Sequence, residues 1–167
     1  MQKSQKSDFL KVIAQNTGII NSLCSLYYAR KEDQKDARQD VILQLWKAWP
    51  SFRGESQIGT WMYKVSLNVL LAKKRKENRR IEEAELTDVN FSDEDPGFPT
   101  DDDVQLLLQI IEWLNDEEKA VVILFLEGYK NKEIASILLT SQTNVSTRLH
   151  RIKTKLKNHY QTLMYAG

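Results

Sequence analysis

The chain has little of what several protein classes require. Its 167 residues include one cysteine, three prolines and six glycines, which excludes collagen-like chains and disulfide-rich scaffolds. No apolar run approaches the length of about 20 residues that a membrane-spanning helix needs. The amino-terminal residues lack the apolar segment of a secretory signal peptide, and no Cys and His cluster has zinc-ligand spacing. These absences favour a cytoplasmic protein without a metal or another cofactor, in which Cys24 is a packed residue.

Charge is distributed unevenly along the chain. The formal net charge is only +1, yet residues 1–80 carry 16 Lys and Arg against 7 Asp and Glu. Residues 81–103 carry ten acids and no Lys or Arg, and residues 104–167 carry eight basic and six acidic residues. Two basic bodies therefore flank an acidic segment. A basic half favours a polyanionic partner such as nucleic acid, with ordinary solvated surface charge as the alternative.

The hydrophobic pattern predicts an all-α protein of two small domains. Residues 81–103 hold two of the three prolines and no sustained apolar period, which is typical of a flexible linker. On both sides, in domains 1–80 and 104–167, apolar residues recur at helical spacings of three and four. No stretch alternates for long enough to predict a strand. In the first domain, Pro50 ends one helix before a turn-rich loop, and we expect Trp46 and Trp61 to lie in the core.

The second domain ends in two short helices with a tight turn, residues 130–139 and 141–160. A polar, basic second helix after such a turn is typical of a DNA-binding helix-turn-helix motif. Ser141 is expected to cap the second helix, Ala135 to allow close helix packing, and no acid follows Glu133. The alternative is an amphipathic hairpin whose basic face is merely solvated.

Three segments resemble extracytoplasmic-function (ECF) sigma factors of bacterial RNA polymerase. GYKNKEIASILLTSQTNVSTRLHRIKTKLK (128–157) is similar to region 4 of that family. KDARQDVILQLWKAW (35–49) and SFRGESQIGTWMYKVSLNVLLAKKRK (51–76) are similar to region 2. The likeness covers nearly the whole chain in the family's order. It departs from the family pattern in the turn between the last two helices, where Leu139 replaces a glycine and puts the turn geometry in question. It also departs at Thr143-Asn144, which replaces Gly-Thr.

The resemblance implies a sigma factor that binds core RNA polymerase and directs promoter-specific initiation, with no enzymatic activity and no small-molecule substrate of its own. It implies an anti-sigma factor as a further partner. The implied polymerase contacts are Asp36, Gln39 and Asp40. The implied −10 contacts, with a flipped base in the loop and phosphates along the helix after it, are Arg53, Gly54, Glu55, Ser56, Lys64, Asn68, Lys73, Lys74 and Arg75. The implied −35 contacts are Gln142, Thr143, Asn144, Ser146, Thr147, Arg148, His150 and Arg151.

Several alternatives stay open at this point. Loop residues 51–57 could be a plain surface turn, and Arg148 could contact phosphate or buttress its own helix. The acidic linker could mask the basic faces of the free protein or serve only as a tether. A stand-alone helix-turn-helix regulator and a helical interaction module are the competing functions, and the region 2 resemblance disfavours both.

Overall fold

The computed structural model describes residues 2–84 and 109–165, and the regular secondary structure in these ranges is helical. The chain divides into two compact units, Met1–Glu94 and Asp95–Gly167. The prediction of an all-α protein with two helical domains is therefore confirmed. Of the expected linker, residues 81–84 continue a helix, and residues 85–103 lie outside the described residues.

The first unit is a helical bundle. Its elements are α1 (Gln2–Gln15), α2 (Thr17–Tyr27), α3 (Lys31–Ala48), a 3₁₀ turn (Trp49–Ser51) and α4 (Ile58–Ala84). Helix α1 was not predicted from the sequence. It buries Phe9 and Ile13 against the rest of the bundle and is otherwise mostly polar.

Aliphatic side chains from α2, α3 and α4 form the core of this unit. The largest fully buried ones are Ile20, Leu23, Val41, Leu45, Met62, Leu67 and Leu70. Each such side chain stabilises the fold by about 1.5–3 kcal/mol relative to an exposed position. Cys24 is buried as expected, and this burial raises the pKa of its thiol. The thiol is thus a packing group rather than a nucleophile.

In the second unit, residues 109–112 are helical, and α5 (Asp116–Leu126), α6 (Asn131–Ile137) and α7 (Gln142–Tyr165) follow them. Asn115 caps α5: its side chain accepts from the backbone N–H of Glu118, whose carboxylate accepts from the N–H of Asn115. This capping box satisfies two backbone donors that the helix leaves unpaired. Gly128, at φ +91°, follows the end of α5 in the left-handed conformation.

Helices α6 and α7 form the predicted helix-turn-helix. The Ser141 hydroxyl accepts from the backbone N–H of Asn144 at 3.1 Å, so the expected cap is present. Ala135 is buried at the helix junction, and its carbonyl accepts from the N–H of Thr140 at 2.9 Å to close the turn. Leu139 adopts φ +56° and is 70% exposed. Leucine therefore takes the conformation for which glycine is usually selected, and the turn forms despite the substitution.

Candidate nucleic-acid interface

The loop expected to receive a −10 base stands on an aromatic cluster. The Phe52 ring lies 5.0 Å from that of Trp61 and 5.8 Å from that of Trp49, measured between centroids. Gly54 adopts φ +72°, and a Cβ there would meet open space. The polar side chains on either side of this glycine are exposed: Arg53, Glu55 and Ser56. The aromatic cluster thus supports a short loop, and a nucleotide could approach the backbone of this loop closely at Gly54.

Three further residues of the predicted −10 set lie along α4. Lys64 and Arg75 are exposed, whereas Asn68 is half-buried. The Asn68 amide Nδ2 donates to the backbone carbonyl of Lys64 at 2.6 Å. This bond directs the Asn68 side chain along the helix and fixes its amide plane without DNA.

The two lysines near the basic end of α4 bind acids within the unit. Lys73 Nζ donates to Asp40 Oδ2 at 2.8 Å, which raises the pKa of Lys73. Lys74 Nζ lies 3.8 Å from Glu77 Oε2 and 4.7 Å from the centre of the Tyr28 ring. The Tyr28 hydroxyl in turn donates to the Glu77 carboxylate at 3.0 Å. Any phosphate that these lysines contact must therefore compete with carboxylates already in place.

The residues predicted to face polymerase are all exposed on α3: Asp36, Gln39 and Asp40. Gln39 also lines a groove of about 400 Å³ between α1 and α3. The groove is otherwise lined by one lysine and an apolar set: Lys6, Phe9, Leu10, Ile42, Leu43 and Trp46. The predicted contact surface thus adjoins a partly exposed apolar surface, as in protein interfaces with an apolar centre.

The two tryptophans expected in the core differ in their environment. Trp61 is 9% exposed, as predicted, and packs against the loop. Trp46 is 40% exposed, so its predicted core position is wrong. Its ring packs edge-on against that of Phe9 of α1, at 5.0 Å between centroids, and the rest of the ring is partly exposed.

Six of the eight residues predicted to read the −35 element are exposed on α7: Gln142, Thr143, Ser146, Thr147, His150 and Arg151. Their spacing of three and four places them along one side of the helix, opposite the buried residues Val145, Leu149 and Ile152. The Ser146 hydroxyl also joins α6 to α7, because it accepts from Asn131 Nδ2 at 3.1 Å.

The other two residues of this set, Asn144 and Arg148, are half-buried and bonded inside the unit. Arg148 Nη2 lies 2.6 Å from Glu117 Oε2 on α5, and its Nε donates to Asn144 Oδ1 at 3.0 Å. Asn144 Nδ2 donates to the Thr140 hydroxyl at 2.8 Å. These four side chains form a continuous chain, here called the Glu117–Thr140 chain, from α5 through α7 to the turn.

Cations continue along α7 beyond the exposed polar face. Lys155 Nζ donates to both carboxylate oxygens of the buried Glu118, at 2.9 and 3.1 Å. Lys153 Nζ lies 5.4 Å from the centre of the Phe125 ring, and Lys157 is exposed. Because Glu118 also belongs to the capping box, the Lys155 contact ties α7 to the start of α5.

In the ranges 2–84 and 109–165, no group of three or more His, Cys, Asp or Glu side chains could hold a metal ion. Across those same residues, no helix combines the length and apolar character needed to cross a bilayer.

Comparison with known proteins identifies the two units. Residues 12–80 match the family model of Sigma-70 region 2, and residues 105–156 match that of Sigma-70, region 4. These two regions in this order define a sigma factor of RNA polymerase. The chain is 27% identical to the ECF RNA polymerase sigma-E factor of Haemophilus influenzae, an alignment that covers 98% of this chain and 93% of that protein. It is 29% identical to the RNA polymerase sigma factor YlaC of Bacillus subtilis, over 77% of this chain and 78% of that protein.

A solved structure supports the same fold. The sigma factor RpoE of Bartonella quintana, crystallised with the anti-sigma factor NepR, aligns with a TM-score of 0.70 at 18% identity, over 95% of this chain and 98% of that one. The chain belongs to the ECF sigma factors. It therefore directs RNA polymerase to promoters and binds promoter DNA. The family matches thus confirm the membership and the function that were expected from the sequence.

Sequence reasoning missed several residues that shape these surfaces. Glu117 and Thr140 hold Arg148 and Asn144, and Tyr28 and Glu77 hold Lys74. Glu117 was visible only as one of the acids in the first turn of α5, where an acid suits the helix dipole. Nothing in the linear sequence pairs it with a residue of α7.

Proposed function

We propose a division of roles between the two units. The first unit contacts core RNA polymerase through Asp36, Gln39 and Asp40 and holds the −10 element with the loop and α4. The second unit reads the −35 element through the exposed face of α7. The observation that carries this proposal is that face: polar side chains cover the outer side of a capped second helix in a helix-turn-helix. Such a helix reads base edges in the major groove with the residues near its N-terminus.

The loop supports a −10 role by its shape and chemistry. Gly54 leaves room for a base beside the backbone, and Arg53, Glu55 and Ser56 supply donors and acceptors for its edge. Lys64 and Arg75 lie on α4, the helix that follows the loop, and supply cations for phosphates. In the chain without polymerase, Asp40 and Glu77 neutralise Lys73 and Lys74, so these two lysines attract a phosphate less than their charge suggests.

The proposal also covers partners and location. Bartonella RpoE binds an anti-sigma factor, and by analogy this chain has such a partner. The chain carries no chemistry of its own, because the polymerase makes the RNA. It works in the cytoplasm, where polymerase and promoter DNA are found.

The test is transcription in vitro by core polymerase on a promoter library, with and without this protein. We expect defined start sites only when the protein is added. Absence of any promoter-dependent product would contradict the proposed function.

A matched pair of variants then tests base reading by α7. In Arg151→Ala, preference at one −35 position should fall by about 1–3 kcal/mol, as for the loss of one base contact. In Lys157→Ala, binding should weaken about equally on all promoters, because a phosphate contact carries no sequence information. A −35 ranking that Arg151→Ala leaves unchanged would remove Arg151 from the reading face.

A further inference from the structure

We propose that Glu117 is a positioning residue for −35 recognition, and that Arg148 and Asn144 orient the recognition helix rather than bind DNA. The inference rests on the proposed function of α7. It reassigns two residues that the family resemblance places in the DNA-contact set. It adds two others, Glu117 and Thr140, that no sequence pattern marks.

The first argument is that two of the three guanidinium nitrogens of Arg148 are engaged within the unit. Its Nη2 meets the Glu117 carboxylate at 2.6 Å, and its Nε meets the Asn144 carbonyl at 3.0 Å. The Arg148 side chain is 29% exposed and that of Glu117 41%. A DNA phosphate approaching this guanidinium would also approach the Glu117 carboxylate, and like charges repel. Arg148 is therefore a poor phosphate ligand as long as Glu117 is ionised.

The second argument concerns the direction of the Asn144 side chain. Its amide nitrogen bonds Thr140, four residues earlier, and its carbonyl oxygen bonds Arg148, four residues later. The two ends therefore point along the helix in opposite directions. An asparagine that reads adenine presents both atoms to one base edge. Asn144 would have to break both bonds to do so.

The third argument is where the chain is anchored. Glu117 belongs to α5, Arg148 and Asn144 belong to α7, and Thr140 belongs to the turn beside the left-handed Leu139. The Glu117–Thr140 chain thus fixes the first turns of α7 against both neighbouring elements. The exposed side chains Thr143, Thr147 and Arg151 project from these turns. The direction in which they point therefore depends on the Glu117–Thr140 chain. A shift of about 1 Å is enough to spoil a bidentate base contact.

The decisive variant is Arg148→Lys in holoenzyme. Lysine keeps the positive charge and serves as a phosphate ligand, but it cannot bond Glu117 and Asn144 through two fixed nitrogens. We measure binding to the preferred −35 element and to single-mismatch variants, together with the dependence of log K on log salt. The expected result is a fall of roughly tenfold in the ratio between matched and mismatched sites, with the salt slope unchanged.

Glu117→Gln should lower the same ratio without weakening binding to mismatched sites, since it removes a negative charge near DNA. Glu127→Gln is the matched control: it removes the same charge from the C-terminal end of α5, where Glu127 is exposed. It should leave the ratio unchanged. The double variant Glu117→Gln/Arg148→Lys should lose no more discrimination than either single variant, because both changes break the same chain.

Three outcomes would overturn the inference. The first combines two results. Arg148→Lys keeps the full ratio between matched and mismatched −35 sites, and Arg148→Gln lowers the slope of log K against log salt by about 0.9, which is the signature of one phosphate contact. Another is equal loss of discrimination in Glu117→Gln and Glu127→Gln, which would assign the effect to net charge. The third is that discrimination falls only in step with the unfolding temperature, which would leave a purely structural role. Wild-type holoenzyme that shows no −35 preference would instead overturn the proposed function itself.

Discussion

Replacing Leu139 with glycine should stabilise the second unit. Leu139 adopts φ +56°, a left-handed conformation that costs a residue with a Cβ about 1–2 kcal/mol. Glycine removes that cost but loses about 0.5–1 kcal/mol more through its greater freedom in the unfolded chain. The leucine side chain is 70% exposed, so little buried area is lost with it. The expected net gain in unfolding free energy is about 0.5–1 kcal/mol.

The assay is urea unfolding of the full chain, followed through amide resonances of α6 and α7, because two units need not unfold together. The control is Leu138→Gly. Leu138 has φ −90° and is half-buried, so glycine there should destabilise the unit by about 1 kcal/mol or more. If Leu139→Gly is destabilising to the same degree, the left-handed turn is not a source of strain and the reasoning fails.

Two further predictions concern the first unit. The Ser66 hydroxyl is 0% exposed and has no hydrogen-bond partner among the described residues, so Ser66→Ala should stabilise the unit by up to about 1 kcal/mol in urea unfolding. The exposed control Ser25→Ala should change stability by less than about 0.5 kcal/mol, and a destabilised Ser66→Ala would show that the hydroxyl has a partner. Without polymerase, Lys73→Met should flatten the salt dependence of DNA binding less than Lys64→Met does, because Asp40 neutralises Lys73. Equal slopes for the two variants would show that the ion pair opens on DNA.

Sequence periodicity predicted the helix-turn-helix because the signals are local. The buried residues Val145, Leu149 and Ile152 recur at helical spacing, and Ser141 supplies its cap within three residues. Helix α1 was missed for the opposite reason. It has few apolar residues, and what makes it a stable helix is contact with tryptophans of α3 and the 3₁₀ turn, far along the chain.

The same limit explains which site details escaped prediction. The departure at Leu139 was visible in the sequence, but whether the backbone would keep the glycine conformation depends on the packing of α6 against α7. The choice between phosphate contact and buttress for Arg148 depends on Glu117, an acid from another helix. Exposure of Trp46 depends on how much of it α1 covers. Each of these is decided by tertiary contacts that spacing does not encode.

The proposed roles give the internal ion pairs of the two units different uses. Asp40 and Lys73 have proposed roles toward two different partners, yet they bind each other at 2.8 Å. A polymerase cation that pairs with Asp40 would take from Lys73 the carboxylate that neutralises it, and the lysine would then have charge to share with a phosphate. Polymerase binding would thus strengthen DNA binding at the end of α4. The Glu117–Arg148 pair has no such outside competitor in the proposal, because its role is to position α7, to which Arg148 itself belongs. A carboxylate that can exchange an internal cation for a cation of a binding partner is suited to coupling two binding events. A carboxylate that stays paired inside the unit is suited to fixing geometry.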